Sequence, residues 1–438
     1  MNRFVDQRSA PSTKTELDLF SIPVTQVAIK RAFTEVIHTS NPITSEGPYE
    51  FRIPADPNFL HLSKHYVYFQ LRIVKPDGSN LVSEGEGADQ VATINAVAKT
   101  FFKQVKFFIN SKLVYDSGDK YHYKAFLETE LNYGLDAKQS HLGSCLYNKE
   151  TGDIDEATNA GFVARATTFK GSKWVEAMAP LHVDIMMQDR YLLPQTEVRL
   201  ELHRNADPIL LLCYKANPSA YKLEVREMRL FVQKVEVLES VHLALESTVG
   251  QYAAKYPLRR VVVTSLHVTP QRRLTPTNNI FQGQIPRRLV VACCDNDAYH
   301  GLISKSPFNF KHYGIQSIKV VAGGQTFPSF PLRLDFDNHH YVQAYVQLFE
   351  ALGIANDNRG NAIERADFEK SHCIFGFDLT SDADDGSHWE LVKEGNTSLE
   401  IQFGPNLPAQ GVQVIIYAEF DNLLTLDRNR VAHFDYTA

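Results

Sequence analysis

Short runs in which apolar and polar residues alternate dominate the chain. One run places Val67, Phe69 and Leu71 on one face, and the same period of two recurs in runs 198–202, 399–403 and 412–420. A period of two is that of a β-strand with one buried face. Turn-forming segments rich in Gly, Pro, Asn and Asp separate these runs. The pattern therefore predicts antiparallel β-sandwiches rather than a parallel α/β sheet.

Two stretches follow a helical period instead. Segments 119–134 and 338–353 carry apolar residues three and four positions apart, and Gly134 and Gly353 follow where a helix would end. An Asx residue precedes each stretch at the position of an N-cap. We therefore expect one short helix in each half of the chain.

The two predicted helices belong to a longer internal similarity. Ala125-Phe126 before Gly134 matches Ala344-Tyr345 before Gly353, an offset of 344 − 125 = 219. Segment 104–112 matches 316–324 at an offset of 212, and segment 200–202 matches 399–401 at an offset of 199. These offsets lie near half of the 438 residues, which predicts two copies of one sandwich joined near 239–256. Chance similarity among β-rich segments is the alternative.

Composition narrows the class of protein. A hydrophobic content of 44% and a charged content of 22% exclude a disordered chain, and the net charge of −6 argues against a surface built entirely for nucleic acid. The first residues lack the apolar core of a signal peptide, and the longest apolar runs are too short to cross a bilayer. Five scattered cysteines form no CxxC pair. We expect a chain that is made inside a cell and is not secreted.

Candidate chemistry is sparse. No GxxxxGK[ST], GxSxG, HExxH or GxGxxG motif is present, and segment 382–386 lacks the ligand spacing of a calcium-binding EF-hand loop. Histidines 61 and 65, and the pair His339-His340, lack the further ligands that a zinc site needs. We expect no catalytic site, no metal and no cofactor.

One charge feature stands out. No acidic residue occurs between Glu246 and Asp295, although this interval contains several cations. These cations form a candidate intermolecular basic surface: Lys255, Arg259, Arg260, Arg272, Arg273, Arg287 and Arg288. Such a surface would meet an acidic partner. Replacing Arg259, Arg260, Arg287 and Arg288 with serine would then spare the fold but weaken assembly or partner binding. The alternative is pairing with acidic loops of the same chain, such as 382–385.

Several segments resemble the major capsid proteins of Polinton (Maverick) elements and adintoviruses, which belong to the adenovirus hexon lineage. The resemblance is densest in segments 253–261, 281–291, 295–299 and 307–313. It continues in 377–380, 417–423 and 427–430, in Asp435-Tyr436, and in 103–110 and 191–194 of the first half. These are structural segments rather than catalytic motifs, so their specificity comes from their number and order.

The resemblance implies an all-β double jelly roll: two tandem eight-stranded antiparallel jelly rolls with one short helix in a loop of each. The expected division is an N-terminal arm at 1–24, a first roll at 25–238 and a second roll at 239–438. It also implies a homotrimeric, pseudo-hexagonal capsomer, which would tile an icosahedral virion shell around double-stranded DNA.

Expected partners are further copies of the chain in a trimer–trimer lattice, and penton and other minor capsid proteins. Packaged DNA or an inner membrane would be non-specific partners, and no small-molecule substrate is expected. A carbohydrate-binding protein or glycan amidase on a double sandwich is the alternative. A capsid gene domesticated by a host is a third interpretation.

Overall fold

The alternating runs form strands that pair almost entirely antiparallel. The computed structural model describes residues 6, 8–10, 12, 14–44, 46–85, 87–215, 218–275, 279–383, 388–405 and 407–434. Asp435-Tyr436, which carried part of the resemblance, lies outside the described residues, as do residues 384–387 of the acidic loop. The strands β1–β19 are, in order, Ile29–His38, Tyr49–Ile53, Phe59–Val74, Ala92–Thr93, Phe102–Ile109, Lys112–Asp116, Val175–Ala179, Val198–Arg204, Leu211–Leu212, Lys222–Val237, Ala254–Val268, Asn279–Gln284, Arg288–Asp295, Ile315–Ala322, Gln325–Arg333, Ile374–Asp378, Glu394–Phe403, Val412–Leu426 and Ala432–Phe434.

The helices occupy the connections between strands. Helices α1–α9 are, in order, Val97–Thr100, Tyr121–Asn132, Leu135–Gln139, Ala160–Thr168, Asp207–Leu210, Glu239–Gln251, Asn296–Tyr299, Val342–Ala351 and Arg365–Lys370. Short 3-10 turns lie at Thr15–Leu17, Gly118–Lys120, His141–Cys145, Lys170–Ser172 and Asp184–Met187. Among the described residues, no helix combines the length and the apolar character that a bilayer span requires.

The sheets fall into two sets with the same strand order. In the first roll the sheets are β1-β10-β3-β7 and β2-β8-β5-β6, and in the second roll they are β11-β18-β13-β16 and β12-β17-β14-β15. Leaving aside the short β4-β9 pair and β19, each roll places its first, eighth, third and sixth strands in one sheet. Its second, seventh, fourth and fifth strands form the other. The predicted pair of eight-stranded jelly rolls is therefore confirmed.

Equivalent strands of the two rolls bury equivalent positions. The fourth strands, β5 and β14, show the same alternation of buried and accessible residues. Each then turns into its fifth strand through two residues with positive φ, Asn110-Ser111 in the first roll and Gly323-Gly324 in the second. Two consecutive positive φ values are those of a tight hairpin turn. The internal similarity thus reflects a repeated structural unit.

Both predicted helices are present, in the connection between the fifth and sixth strands of each roll. Helix α2 is buried on every side from Tyr121 to Leu131, whereas α8 buries only one face. The predicted Asx N-caps are wrong, because Lys120 and Tyr341 occupy those positions without a side-chain cap. Gly353 has the left-handed φ of +71° expected after a helix. The described residues contain more helices than the one per roll that the sequence suggested.

Candidate functional site

The seven cations of the predicted basic surface do not lie together. Lys255, Arg259 and Arg260 belong to β11, the edge strand of a sheet in the second roll. Arg272 and Arg273 lie in the connection after β11. Arg287 immediately precedes β13, and Arg288 is the first residue of that strand. Adjacent residues of a strand point to opposite faces of the sheet, so the side chains of Arg259 and Arg260 lie on different faces. Arg260 is half-buried, with its guanidinium 4.7 Å from the centroid of the Phe420 ring.

Arg287 and Arg288 are interior residues. Their relative exposures are 6% and 8%, and each has an acidic partner on β18. Arg287 Nη1 lies 3.4 Å from Asp421 Oδ1, and Arg288 Nη1 lies 3.3 Å from Glu419 Oε2. Arg288 and Glu419 are cross-strand neighbours, which places their side chains on one face. These two arginines therefore pair within the chain, as in the alternative interpretation, although Asp421 and Glu419 lie on β18 and not in the loop at 382–385. The exposed members are Lys255, Arg259, Arg272 and Arg273.

A buried polar cluster joins the two rolls. We call it the junction cluster, and its members are Lys124, Glu128, His182, Asp184 and Tyr417. Lys124 Nζ pairs with Asp184, and His182 Nδ1 hydrogen-bonds Glu128. These four residues come from α2 and from the segment after β7, in the first roll. Tyr417 comes from β18 of the second roll.

Each carboxylate of the junction cluster also binds the second roll. The Tyr417 hydroxyl donates to Glu128 Oε1 over 3.2 Å, and the Val261 backbone N–H donates to Asp184 Oδ2 over 3.1 Å. Buried charges are tolerated when they are paired and hydrogen-bonded. The arrangement therefore fastens one roll to the other, and both carboxylates are fully engaged in doing so.

The electrostatics of the junction cluster follow from burial and from these pairs. Burial alone would raise the pKa of Glu128, but Lys124 and His182 outweigh it and hold that pKa below its usual value. For Lys124 burial would lower the pKa, and the charge of Asp184 reverses this and raises it. Burial lowers the pKa of His182 despite the nearby Glu128. The pair of Lys124 and Glu128 is therefore charged at neutral pH.

A cavity of about 360 Å³ opens beside the junction cluster. Three carboxylates line it, and so do three guanidinium groups. These charged residues are Glu128, Asp184, Glu419, Arg259, Arg288 and Arg359. The charges balance, so the cavity wall has no net charge with which to select a cation or an anion.

Contacts between loops add a second attachment between the rolls. Phe126 of α2 stacks on Phe308, which precedes β14 in the second roll. Asp153 of the first roll accepts from Lys311 Nζ over 2.8 Å and from Asn309 Nδ2 over 2.9 Å. Lys138 Nζ donates to the Asn361 backbone carbonyl over 2.8 Å. Aromatic, ionic and backbone contacts therefore hold the two rolls in a fixed relation.

The residues considered as metal ligands or nucleophiles have structural partners. His61 hydrogen-bonds Gln233, and His65 bonds the backbone of Leu62 and Leu181. All five cysteines are free and buried, and burial raises the pKa of the Cys294 thiol to about 12, which makes it a poor nucleophile. Within the described ranges, no group of three or more His, Cys, Asp or Glu side chains is arranged to hold a metal ion.

Comparisons with known proteins give one relative and several structural matches. No family model matches the chain. The uncharacterized protein F54H12.2 of Caenorhabditis elegans is 32% identical over 413 residues, which are 93% of this chain and 97% of that protein.

Several of the structural matches are chains of virus and virophage structures. A chain of the Sputnik virophage superposes with a TM-score of 0.66 at 10% identity, over 99% of this chain and 94% of that chain. The mavirus major capsid protein gives a TM-score of 0.57 at 11% identity, over 100% of this chain and 97% of its own. The Faustovirus major capsid protein gives 0.55 at 10% identity, over 94% and 93%. The predicted likeness in fold to double jelly-roll capsid proteins is confirmed.

Proposed function

The chain belongs to the same family as the Caenorhabditis elegans protein F54H12.2, and we propose that it is a structural major capsid protein. The observation that carries the proposal is the repeated strand order. Two rolls with the same sheet topology follow each other in one chain, and capsid chains match that arrangement over nearly its whole length. The proposal assigns the chain no enzymatic activity.

Duplication gives this function a geometric reason. Three copies of a double roll would place six similar rolls around one axis, whereas a single-roll chain would need six subunits for the same outline. We therefore propose a homotrimeric, pseudo-hexagonal capsomer that tiles an icosahedral shell. The fixed attachment of the rolls through the junction cluster supports this, because a rigid pair of rolls presents a constant outline to its neighbours.

The finer assignment follows the resemblance of the sequence to Polinton and adintovirus capsid proteins. The genome inside the shell would be double-stranded DNA, and the chain would reside in the virion after synthesis in the host cell. Further partners would be a penton protein and other minor capsid proteins. The relative at 32% identity is a nematode protein, which favours an element carried by animal hosts.

The mass of the purified protein in solution tests the assembly. Light scattering after size exclusion should give three times the chain mass of 49.6 kDa, and negative-stain images should show particles with six-fold outlines. A monomer at micromolar concentration that binds glycans would contradict the proposal and favour the carbohydrate-binding alternative. Shells in cells that express the chain would separate a capsid from a domesticated gene product without particles.

A further inference from the structure

The segment before β1 exposes an unusual number of large apolar side chains. Every residue from 14 to 27 is exposed. Six of these residues are large and apolar, with relative exposures between 68% and 101%: Leu17, Leu19, Phe20, Ile22, Val24 and Val27. Isolated apolar residues on a surface are ordinary, but six within eleven positions form a patch that water disfavours. We call residues 14–27 the arm; this range overlaps the N-terminal arm at 1–24 that the sequence predicts, and from here on the name refers to residues 14–27 only.

The arm has the pattern of an extended segment with one apolar face. Phe20, Ile22 and Val24 alternate with Ser21, Pro23 and Thr25. In an extended chain, alternate residues share a side, so three apolar side chains would point the same way. Residues 19–28 include no charged side chain, so burying this segment would carry no free-energy cost for desolvating a charge. The arm is thus built to lie against an apolar surface.

A matching surface lies on the second roll, between β15 and α8. An open groove of about 970 Å³ lies there. The large apolar side chains of its lining include Phe327, Pro328, Val342 and Val346, and its polar side chains are Gln343, Gln347, Glu350, Asn356, Asp357 and Asp378. Val342 and Val346 are 44% and 45% exposed on the outer face of α8. The apolar part of this lining is therefore accessible to a segment from outside the roll, beside polar side chains that stay hydrated at its margin.

The backbone of β15 also favours contact through side chains. Strand β15 is the outer strand of its sheet, and its pairing with β14 is interrupted between Phe327 and Leu332. Pro328 and Pro331 lie in this interruption and have no N–H to donate. An incoming segment would therefore meet side chains, including Phe330, which is 82% exposed.

We propose that the arm of one copy docks in the groove between β15 and α8 of a second copy. The inference rests on the proposed function, because an assembly supplies the second copy at high local concentration. Within one chain the arm is exposed throughout, and the groove belongs to the other roll from the one that the arm precedes. Docking would bury the apolar faces of both, and it would link neighbouring subunits by exchange of arms.

Cysteine cross-linking between two differently substituted copies tests the contact. One copy carries Ile22→Cys with an affinity tag, and the other carries Val346→Cys without it. All five native cysteines are buried, so the background reaction is small. The matched control is Val163→Cys on α4, because Val163 is 46% exposed and also lies on a helix surface. We expect a covalent dimer of tagged and untagged chains when the untagged copy carries Val346→Cys. We expect no such dimer when it carries Val163→Cys.

The other outcomes separate this inference from the proposed function. Equal cross-linking of Val346→Cys and Val163→Cys would overturn specific docking. Trimers that form without any cross-link to Val346→Cys would overturn the docking and leave the capsid proposal standing. A specific cross-link in a protein that forms neither trimers nor shells would support the docking and contradict the capsid proposal. If neither trimers nor cross-links form, both proposals fail.

Discussion

Phe126 of the first roll lies face to face on Phe308 of the second roll, with ring centroids 4.0 Å apart and ring planes inclined by 2°. Both side chains are 1% exposed. Tyr123, one turn earlier on α2, meets the same Phe308 ring edge-on at 5.8 Å. The helix that the sequence placed in a loop of the first roll is therefore part of the interface between the rolls, which is why it is buried on all sides.

Removing this contact should destabilise the whole chain. Phe308→Ala deletes a buried ring and leaves a cavity, which costs about 3–5 kcal/mol of unfolding free energy. Phe126→Ala should cost a similar amount. The double variant should cost less than the sum of the two by about 0.5–1.5 kcal/mol, since stacked rings interact beyond their buried area. Urea unfolding of the four proteins measures this coupling.

The control for these variants is Leu113→Ala. Leu113 is 45% exposed on β6, so its truncation should change the unfolding free energy by no more than about 0.5 kcal/mol. Strictly additive effects of the two phenylalanine substitutions would show that the rings do not act as a pair.

The alternation of apolar and polar residues correctly predicts the strands. The internal sequence similarity, however, aligns one pair of equivalent strands, β5 and β14, with an error of one residue. The similarity paired Val105 with Ser317 at an offset of 212. The burial patterns and the hairpin turns align β5 with β14 at an offset of 213, which pairs Val105 with the buried Ile318. A slip of one residue exchanges the two faces of a strand. Residue identity alone did not resolve this, because glutamines at 104 and 316 matched by chance.

Sequence patterns do not predict the burial of the junction cluster or of Arg287 and Arg288. The helical period of 119–134 predicts a helix but not that Glu128 is buried, since its partner Tyr417 lies 289 residues away in the sequence. Arg288 was placed on a surface because its partner Glu419 lies 131 residues away. Buried charges are stable only through such partners, and these partners become neighbours only in the folded chain. One sequence signal is available: Lys124 and Glu128 are four residues apart, so an ion pair can form between them along one side of the helix.

A buried histidine should make the fold sensitive to acid. His65 is 1% exposed, its Nδ1 bonds the Leu62 carbonyl over 2.6 Å, and its Nε2 accepts from the Leu181 N–H over 2.7 Å. The pKa of His65 is lowered from 6.5 to about 4, mainly by burial, which outweighs the opposing hydrogen bonds to the backbone of Leu62 and Leu181. The folded state therefore favours the neutral ring. The corresponding stability is complete above pH 6.5, and about 3 kcal/mol is lost as the pH falls from 6.5 to about 4.

The pH dependence of urea unfolding between pH 7.5 and 5 checks this assignment. His65→Gln retains an amide donor and an acceptor without a titrating ring, so its unfolding free energy should fall less steeply with acid than that of the wild type. Phe308→Ala is destabilised without any change in titrating groups, and it should keep the wild-type slope. The same slope in His65→Gln and the wild type would show that His65 does not contribute.

Breaking the buried ion pair between Arg165 and Glu150 should also lower the free energy of unfolding. Arg165 Nη2 lies 2.8 Å from Glu150 Oε1, and the side chains are 1% and 3% exposed. Gly161 makes room for the pair, since a Cβ there would lie 2.3 Å from Glu150 Oε2. Glu150→Gln leaves a buried guanidinium without its counter-charge, which should cost about 3–5 kcal/mol. Chemical denaturation measures the loss.

The same substitution at a more accessible pair provides the control. Glu400 lies 2.8 Å from Lys319 across β17 and β14, with both side chains more than a quarter exposed. Glu400→Gln should therefore cost no more than about 1 kcal/mol. A loss at Glu150→Gln as small as that at Glu400→Gln would show that water reaches the Arg165 pair in solution.

The cations of the basic stretch should separate into two groups by their effect on stability. Arg288→Ser strands the nearly buried Glu419, so it should lower the unfolding free energy by about 3–5 kcal/mol, and Arg287→Ser should act in the same direction through Asp421. We therefore expect that serine at these two positions destabilises the fold, in contrast to the expectation for a surface cation. Thermal unfolding of each variant measures the effect, and unchanged melting temperatures would contradict the pairing.

The exposed cations should instead affect association. Replacing Lys255, Arg272 and Arg273 with serine should leave the melting temperature of the dissociated chain close to that of the wild type, because all three residues are exposed. If these side chains meet an acidic partner surface, the variant should associate more weakly at low salt, and its association should depend less on ionic strength. Sedimentation at 50 mM and 500 mM NaCl, about a threefold change in screening length, measures both quantities. The same salt dependence in the variant and the wild type would remove the intermolecular role from these three cations.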